Sequence, residues 1–359
     1  MQQAENSAAV EAPPAIPRHT NNFDFLRLLF ATLVMVTHSY LLAGVPEAND
    51  PLDIFSHRQI TLATLAVCGF LVISGYLATK SLRRRRSVGS FYRKRILRVF
   101  PALWAMVLGT ILAGFFLSYQ SVSTYFTDPS VRLYAGNAVL RLYLKINGVF
   151  EDNPYPQFVN GCLWTVPYGV FFYLLLGLLG GLRKYRNQLR LIVGVLFLLT
   201  TGLWLAKVNL ADVPDLQLAS KQLVLLGSFF LAGALLSLIT LPSESVRRYI
   251  VYGSASGLVF VCWLGGYQQT QFVLLPLLVI SFGTLYTPAL AWAGKYGNIS
   301  YGVYLWGYFI QQVIAQYLRL SPVAMMAVSI PLTYAVAFAS WHLVEKKPLR
   351  WKFARRKFA

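Results

Sequence analysis

Residues 23–44 read FDFLRLLFATLVMVTHSYLLAG, a mostly apolar run whose acidic, basic and imidazole side chains are Asp24, Arg27 and His38. A helix rises about 1.5 Å per residue, so a run of this length covers the roughly 30 Å hydrocarbon layer of a bilayer. Similar runs recur along the chain, at 60–80, 99–118, 160–181, 190–207, 219–240, 249–266, 271–288, 299–318 and 322–344. Their interiors tolerate Pro167, Pro276 and Pro331, as membrane helices do. The expected fold is all-α: a polytopic membrane bundle of about ten transmembrane helices.

Composition excludes the alternatives. Of the 359 residues 56% are apolar or aromatic and 13% are charged, with 24 Phe, 21 Tyr, 8 Trp and a mean hydropathy of +0.54. So few charges cannot clothe that much apolar surface in water, and the same figures exclude disorder, collagen and coiled coil. Residues 1–18 are polar and Pro/Ala-rich and read as a disordered cytosolic tail without the apolar segment of a signal peptide. The expected membrane domain is 19–345, followed by a basic cytosolic tail over 346–359.

With 32 basic against 13 acidic residues the net charge is +19, which in a soluble chain would suggest nucleic acid. No soluble basic domain is present to hold a nucleic acid, and the charges sort by side instead. Under ten crossings with a cytosolic start, 25 basic residues fall inside and seven outside, which places both termini in the cytosol. Cys68, Cys162 and Cys262 lie in or beside apolar runs at spacings that fit neither a disulfide framework nor a zinc site, and read as buried thiols. The 119–159 loop is long for a compact domain, and its 131–147 stretch reads as an interfacial or re-entrant helix over the outer mouth. No internal repeat supports a transporter of inverted halves.

The first run carries the chemistry. At about 100° per residue, Arg27 and His38 fall about 20° apart on the helical wheel, and Asp24 lies on the same face. Arg27 then sits near the cytosolic boundary and His38 about 16 Å further in. On one reading Arg27 snorkels, Asp24 pairs with it, and His38 merely packs. On the other, a neutral imidazole takes the proton of an acceptor hydroxyl while Arg27, with Asp24, faces a phosphorylated donor. The Arg83–Arg86 run reads as topology and lipid contact, Arg95 and Arg98 as ligand contacts, and Ser74-Gly75 as close helix packing. His342 and Glu345, three apart on the last helix, read as a structural pair. GxGxxG, P-loop, HExxH, GxSxG and CxxC motifs are all missing.

Asp24-x-x-Arg27 followed by ten residues and His38 resembles the signature of the acyltransferase-3 family, ten-helix membrane enzymes that O-acetylate bacterial polysaccharides. The segments 69–77 (GFLVISGYL), 91–101 (FYRKRILRVFP), 163–168 (LWTVPY), 299–305 (ISYGVYL) and 342–346 (HLVEK) are similar to further blocks of that family, over roughly 20–348. The resemblance implies a bacterial inner-membrane enzyme that moves an acyl group, acetyl by preference, from cytosolic acetyl-CoA to a hydroxyl of a cell-surface or exported glycan. It needs no metal. Its implied catalytic residues are His38, as general base or transient acyl carrier, and Asp24; Arg27, Arg95, Arg98 and Ser74 fall on the donor side. Trp164, Thr165, Tyr168, Gly169, His57 and Arg58 fall on the acceptor side. One departure stands out: such sequences read Trp-Thr-Leu-Pro-Tyr-Glu where this chain has Gly169. A glycan-lipid flippase or permease, or an inactive family member serving as a partner, remain the competing readings.

Overall fold

The computed structural model describes residues 21–84, 87–214, 217–295 and 297–346. Both expected tails, apart from Lys346, and Arg85 and Arg86 lie outside the described residues. Among the described residues the regular structure is all helical, with one isolated bridge between Val213 and Leu218 and no strand. The long helices are α1 (Phe23–Leu42), α2 (Leu62–Arg83), α3 (Val88–Leu117), α4 (Val166–Leu178), α5 (Arg186–Leu205), α6 (Ser220–Leu238), α7 (Glu244–Leu264), α8 (Tyr267–Thr284), α9 (Ser300–Tyr317) and α10 (Pro322–Ser340). Seven are long and apolar enough to cross a membrane: α1, α2, α3, α4 with its flanking turns, α5, α6 and α10 with the π turn Trp341–Glu345. Gln268 and Gln271 in α8, Gln311 and Gln312 in α9, and Glu244, Arg247 and Arg248 in α7 dilute the apolar content of the other three.

Helix starts follow local chemistry. Thr61 caps α2 by accepting from Thr64 N at 3.1 Å, and Ser87 caps α3 by accepting from Ser90 N at 3.2 Å. The α3 cap explains why that helix begins at Val88 rather than at the expected 99: its basic first turns bury Phe91 and Arg95 against neighbours. Successive helices joined by short connections must alternate in direction, which gives the bundle two ends. The tail end carries the start of α1 and the α2–α3 connection; the loop end carries residues 43–61 and 118–165.

The centre is α1, α2, α6 and α9. Gly75 of α2 and Gly233 of α6 allow backbone contact, because a Cβ on Gly75 would lie 1.9 Å from the Phe230 carbonyl oxygen and one on Gly233 would lie 2.0 Å from that of Val72. The packing reading of the 74–75 pair is therefore seen directly at Gly75. At the rim, α5 leaves Leu191, Val195, Leu198 and Leu199 exposed, a face suited to lipid. The three cysteines are free and buried.

Two expectations need correction. The 131–147 stretch is not one helix: Pro129–Ala135 is helical, a 3-10 turn follows over Gly136–Val139, and Leu140 at φ 68° ends it. Asn137 causes the break, since its side-chain amide donates to the Tyr134 carbonyl at 2.8 Å and the Tyr143 carbonyl at 2.6 Å. Nor do His342 and Glu345 pair. His342 Nδ1 contacts the Phe338 carbonyl at 2.9 Å, while buried Glu345 accepts from Ser340 Oγ at 3.2 Å. In addition Pro167 sits in the first turn of α4, where its missing N–H costs nothing, rather than in a helix interior.

Candidate active site

Two cavities meet inside the bundle. The first, nearer the tail end, is a vestibule of about 630 Å³ lined by Lys80 and Arg84 of the α2 end, Lys94, Arg95 and Arg98 of α3, and Arg247 of α7. Its remaining lining among the described residues is neutral, from Asn21, Phe23, Tyr76, Leu77, Ser81, Leu241 and Thr284. The second is a chamber of about 130 Å³ whose wall includes Arg27, Ser74, Arg95, Arg98, Tyr173, Ser300 and Tyr301 at one end. Val67, Phe70, Leu71, Val99, Val166, Val170 and Tyr304 make the rest largely apolar, with Thr165 and Gly169. Arg95 and Arg98 line both cavities and form the neck between them.

At the neck Arg95 is held on several sides. Its guanidinium lies 4.9 Å from the Tyr173 ring centre and 5.5 Å from that of Phe91, and it donates to the Leu77 carbonyl at 3.4 Å. Such cation–π contacts contribute about 0.5–2 kcal/mol each when desolvated. Arg27 is buried and bonds Asp24 at 3.3 Å; the same carboxylate oxygen accepts from Asn298 at 3.2 Å. Asp24 thus orients Arg27 from outside the chamber.

His38 is not among the residues lining either cavity. Its ring meets Tyr308 edge-on at 5.1 Å, near the loop end, and its buried Nδ1 has no hydrogen-bond partner among the described residues. Both neighbouring residues are pinned. Thr37 donates to Asp50 at 2.5 Å and accepts from Ala63 N at 2.9 Å, while Ser39 accepts from Gln311 at 2.8 Å. Asp50 is fully buried and also accepts from Leu52 N and Leu62 N, at 2.8 and 3.1 Å, so the α1–α2 connection is locked around the imidazole. On α9, one turn inward of Tyr308, Tyr304 closes the chamber: its hydroxyl bonds Thr165 Oγ1 at 2.5 Å and donates to the Cys162 carbonyl at 3.1 Å.

Of the expected acceptor-side residues, Thr165 and Gly169 line the chamber together with the donor-side set. Trp164 and Tyr168 do not; their rings lie 5.7 Å apart, and the Tyr168 hydroxyl accepts from Ala219 N at 2.8 Å. His57 and Arg58 occupy a left-handed turn at the loop end, with φ 52° and 68°, where Arg58 pairs with Asp53 at 3.0 Å. Sequence reasoning did not single out Tyr173, carried Lys94, Tyr301 and Tyr304 only inside family-like blocks without a role of their own, and counted Lys80, Arg84 and Arg247 toward topology. A signal existed for some of them: Lys80 and Arg84 are one helical turn apart, and Thr165, Gly169 and Tyr173 form an i, i+4, i+8 stripe. Among the described residues no group of three or more His, Cys, Asp and Glu could hold a metal ion.

A basic vestibule opening through an arginine neck onto an apolar chamber suits a ligand with a polyanionic head and an apolar reactive end. A family model described as an acyltransferase domain matches residues 20–342. The chain belongs to the acyltransferase-3 family. It is an acyl-transferring membrane enzyme. It is 28% identical over 341 residues to a protein named O-acetyl transferase from Shigella phage Sf6, covering 91% of this chain and 96% of that one. It is 26% identical over 361 residues to Nodulation protein 10 of Rhizobium leguminosarum bv. viciae, covering 92% and 94%. Identity to the Exopolysaccharide production protein ExoZ of Rhizobium meliloti (strain 1021) is 27% over 319 residues, covering 83% and 93%. No solved structure matches the chain.

Proposed function

We propose that this acyltransferase is an O-acetyltransferase of the bacterial inner membrane that moves acetyl from cytosolic acetyl-CoA to a hydroxyl of an exported glycan. The observation that carries the reading is the pair of adjoining cavities that share Arg95 and Arg98 in their walls. Six cationic side chains suit the phosphates of the coenzyme, and the apolar chamber beyond suits its thioester end. The names of the relatives, O-acetyl transferase and exopolysaccharide production protein, support the acetyl group and the glycan acceptor. Ten crossings with both termini cytosolic turn the vestibule toward the coenzyme pool and His38 toward the side from which a glycan arrives.

In this reading the acceptor hydroxyl gives its proton to His38 as its oxygen attacks the thioester carbonyl. The new C–O bond forms, the C–S bond breaks, and the sulfur leaves to take up a proton as the free thiol. Donor and acceptor approach from opposite ends, so the Tyr304–Thr165 contact must part in each cycle to let the acceptor hydroxyl, bonded to the imidazole, reach the carbonyl held in the chamber. Asp24 keeps Arg27 aimed at the donor, and the Asp50–Thr37 and Gln311–Ser39 bonds keep the ring in place.

The test is incubation of purified protein with labelled acetyl-CoA and candidate bacterial polysaccharides, with mass spectrometry of glycan and protein. Wild type should add acetyl mass to the glycan, and His38→Ala, folded and membrane-inserted, should not. Acetylation that survives in His38→Ala would end the role given to the imidazole, and no coenzyme A-dependent product at all would end the donor assignment.

A further inference from the structure

Gly169 sits on α4 in the chamber wall, four residues and about 6 Å beyond Tyr173 along the helix. A Cβ built there would meet no atom within 4 Å, so the position faces open space. The contrast with the buried glycines of the core is large: Gly75, Gly177 and Gly233 are each filled to about 2 Å by a neighbour. Nothing in helix packing therefore requires a glycine at 169. Its effect is to leave volume in the chamber, whose apolar lining includes Val166, Val170, Val67, Phe70 and Leu71.

We infer that this space is an acyl-chain pocket, and that Gly169 sets the length of chain the enzyme transfers, admitting straight acyl groups of about four carbons as well as acetyl. The inference rests on the donor reading above and extends it. A thioester entering through the Arg95–Arg98 neck passes Tyr173 first, so the space at Gly169 lies on the acyl side of the carbonyl. Apolar walls suit methylenes and would strand the hydroxyls of a sugar, and the Thr165 hydroxyl is already committed to Tyr304. The bonds made and broken are those of acetyl transfer, with the chain alone lengthened. Each buried methylene strengthens binding about fourfold, so two of them strengthen it about fifteenfold where the wall is open.

The experiment compares acetyl-CoA and butyryl-CoA as donors for wild type, Gly169→Ala and Gly169→Val, with the acceptor found for wild type. The readout is the ratio of butyryl to acetyl transfer within each protein. Wild type should move butyryl within about tenfold of acetyl, the ratio should fall through Ala to Val, and Val should lower it at least tenfold. A wild type that moves acetyl but rejects butyryl by more than a hundredfold, or a ratio constant across the series, overturns the inference. Failure of both donors with wild type overturns the donor reading instead. As a measurement free of variants, butyryl-CoA should inhibit wild-type acetyl transfer competitively with a Ki no higher than the KM of acetyl-CoA. A Ki more than tenfold above that KM counts against the pocket.

Discussion

Replacing Gly75 by alanine tests the central contact of the bundle. The added Cβ would begin 1.9 Å from the Phe230 carbonyl oxygen and 3.1 Å from the Ala234 backbone nitrogen. A carbon–oxygen approach of about 3.3 Å is the closest that is comfortable, so α2 and α6 must part by about 1.4 Å. The obstacle is backbone, which cannot rotate aside as a side-chain tip could. A gap of about 0.5–1 Å already forfeits a quarter to a half of each dispersion contact along a seam, and membrane helices have little else to hold them together. We expect a loss of about 3 kcal/mol, at the upper end of ordinary overpacking. Ser74, the next residue, lines the chamber, so acyl transfer should fall with stability. Gly253→Ala in α7 is the matched control, because a Cβ there meets nothing within 4 Å and alanine favours the helix. The assay is thermal denaturation of detergent-purified proteins, with chamber function followed by transfer from acetyl-CoA. Equal midpoints for Gly75→Ala and Gly253→Ala would falsify the close crossing of α2 and α6.

Other outcomes follow from single groups. His38→Ala should lower transfer by about 10²–10⁴-fold at unchanged thermal stability, the range for loss of a general base; a drop below tenfold in steady-state rate would remove it from the proton path. Arg247→Ala should raise the KM of acetyl-CoA about tenfold or more, since a charge-assisted hydrogen bond contributes about 1.5–3 kcal/mol. Arg248→Ala should leave that KM alone, because Arg248 is exposed and paired with Glu244 at 2.7 Å; kinetics at two salt concentrations separate the two, and equal effects would argue against the vestibule. At the loop end, the Asp128 carboxyl is held below its ordinary range chiefly by Ser130, through hydroxyl and backbone N–H, and then by Asn147. A lowered carboxyl stabilises the fold above its unfolded pKa and ceases to do so as pH falls through the folded one. Hydrogen exchange in residues 128–147 should therefore stay slow from neutral pH down to the ordinary Asp pKa and quicken only below it; quickening near pH 6 would contradict this.

How much of this was legible in the sequence differs between fold and site. The helices were, because a bilayer imposes length and apolarity together: residues 300–317 and 220–238 lie within two residues of their expected spans. The start of α3 was not, since a basic turn reads as a loop until Arg95 is seen between Phe91 and Tyr173. Along one helix the angular arithmetic put Asp24 with Arg27, and the structure joins them at 3.3 Å. That arithmetic also put His38 on the Arg27 face, yet a shared face does not make a shared cavity. Whether two groups on one helix see the same space depends on what other helices insert between them, and here Tyr304 of α9 and Thr165 close the chamber short of the imidazole. The same limit hid the vestibule, whose cations come from α2, α3 and α7 and meet only when the bundle is assembled. Gly169 shows the converse. Its departure from the family pattern was visible as a missing carboxylate, but only the empty space at its Cβ turns a missing charge into an added volume. On the donor reading proposed above that volume lies on the acyl side of the arginine neck, and the departure then bears first on which chain is carried and only then on whether one is carried at all.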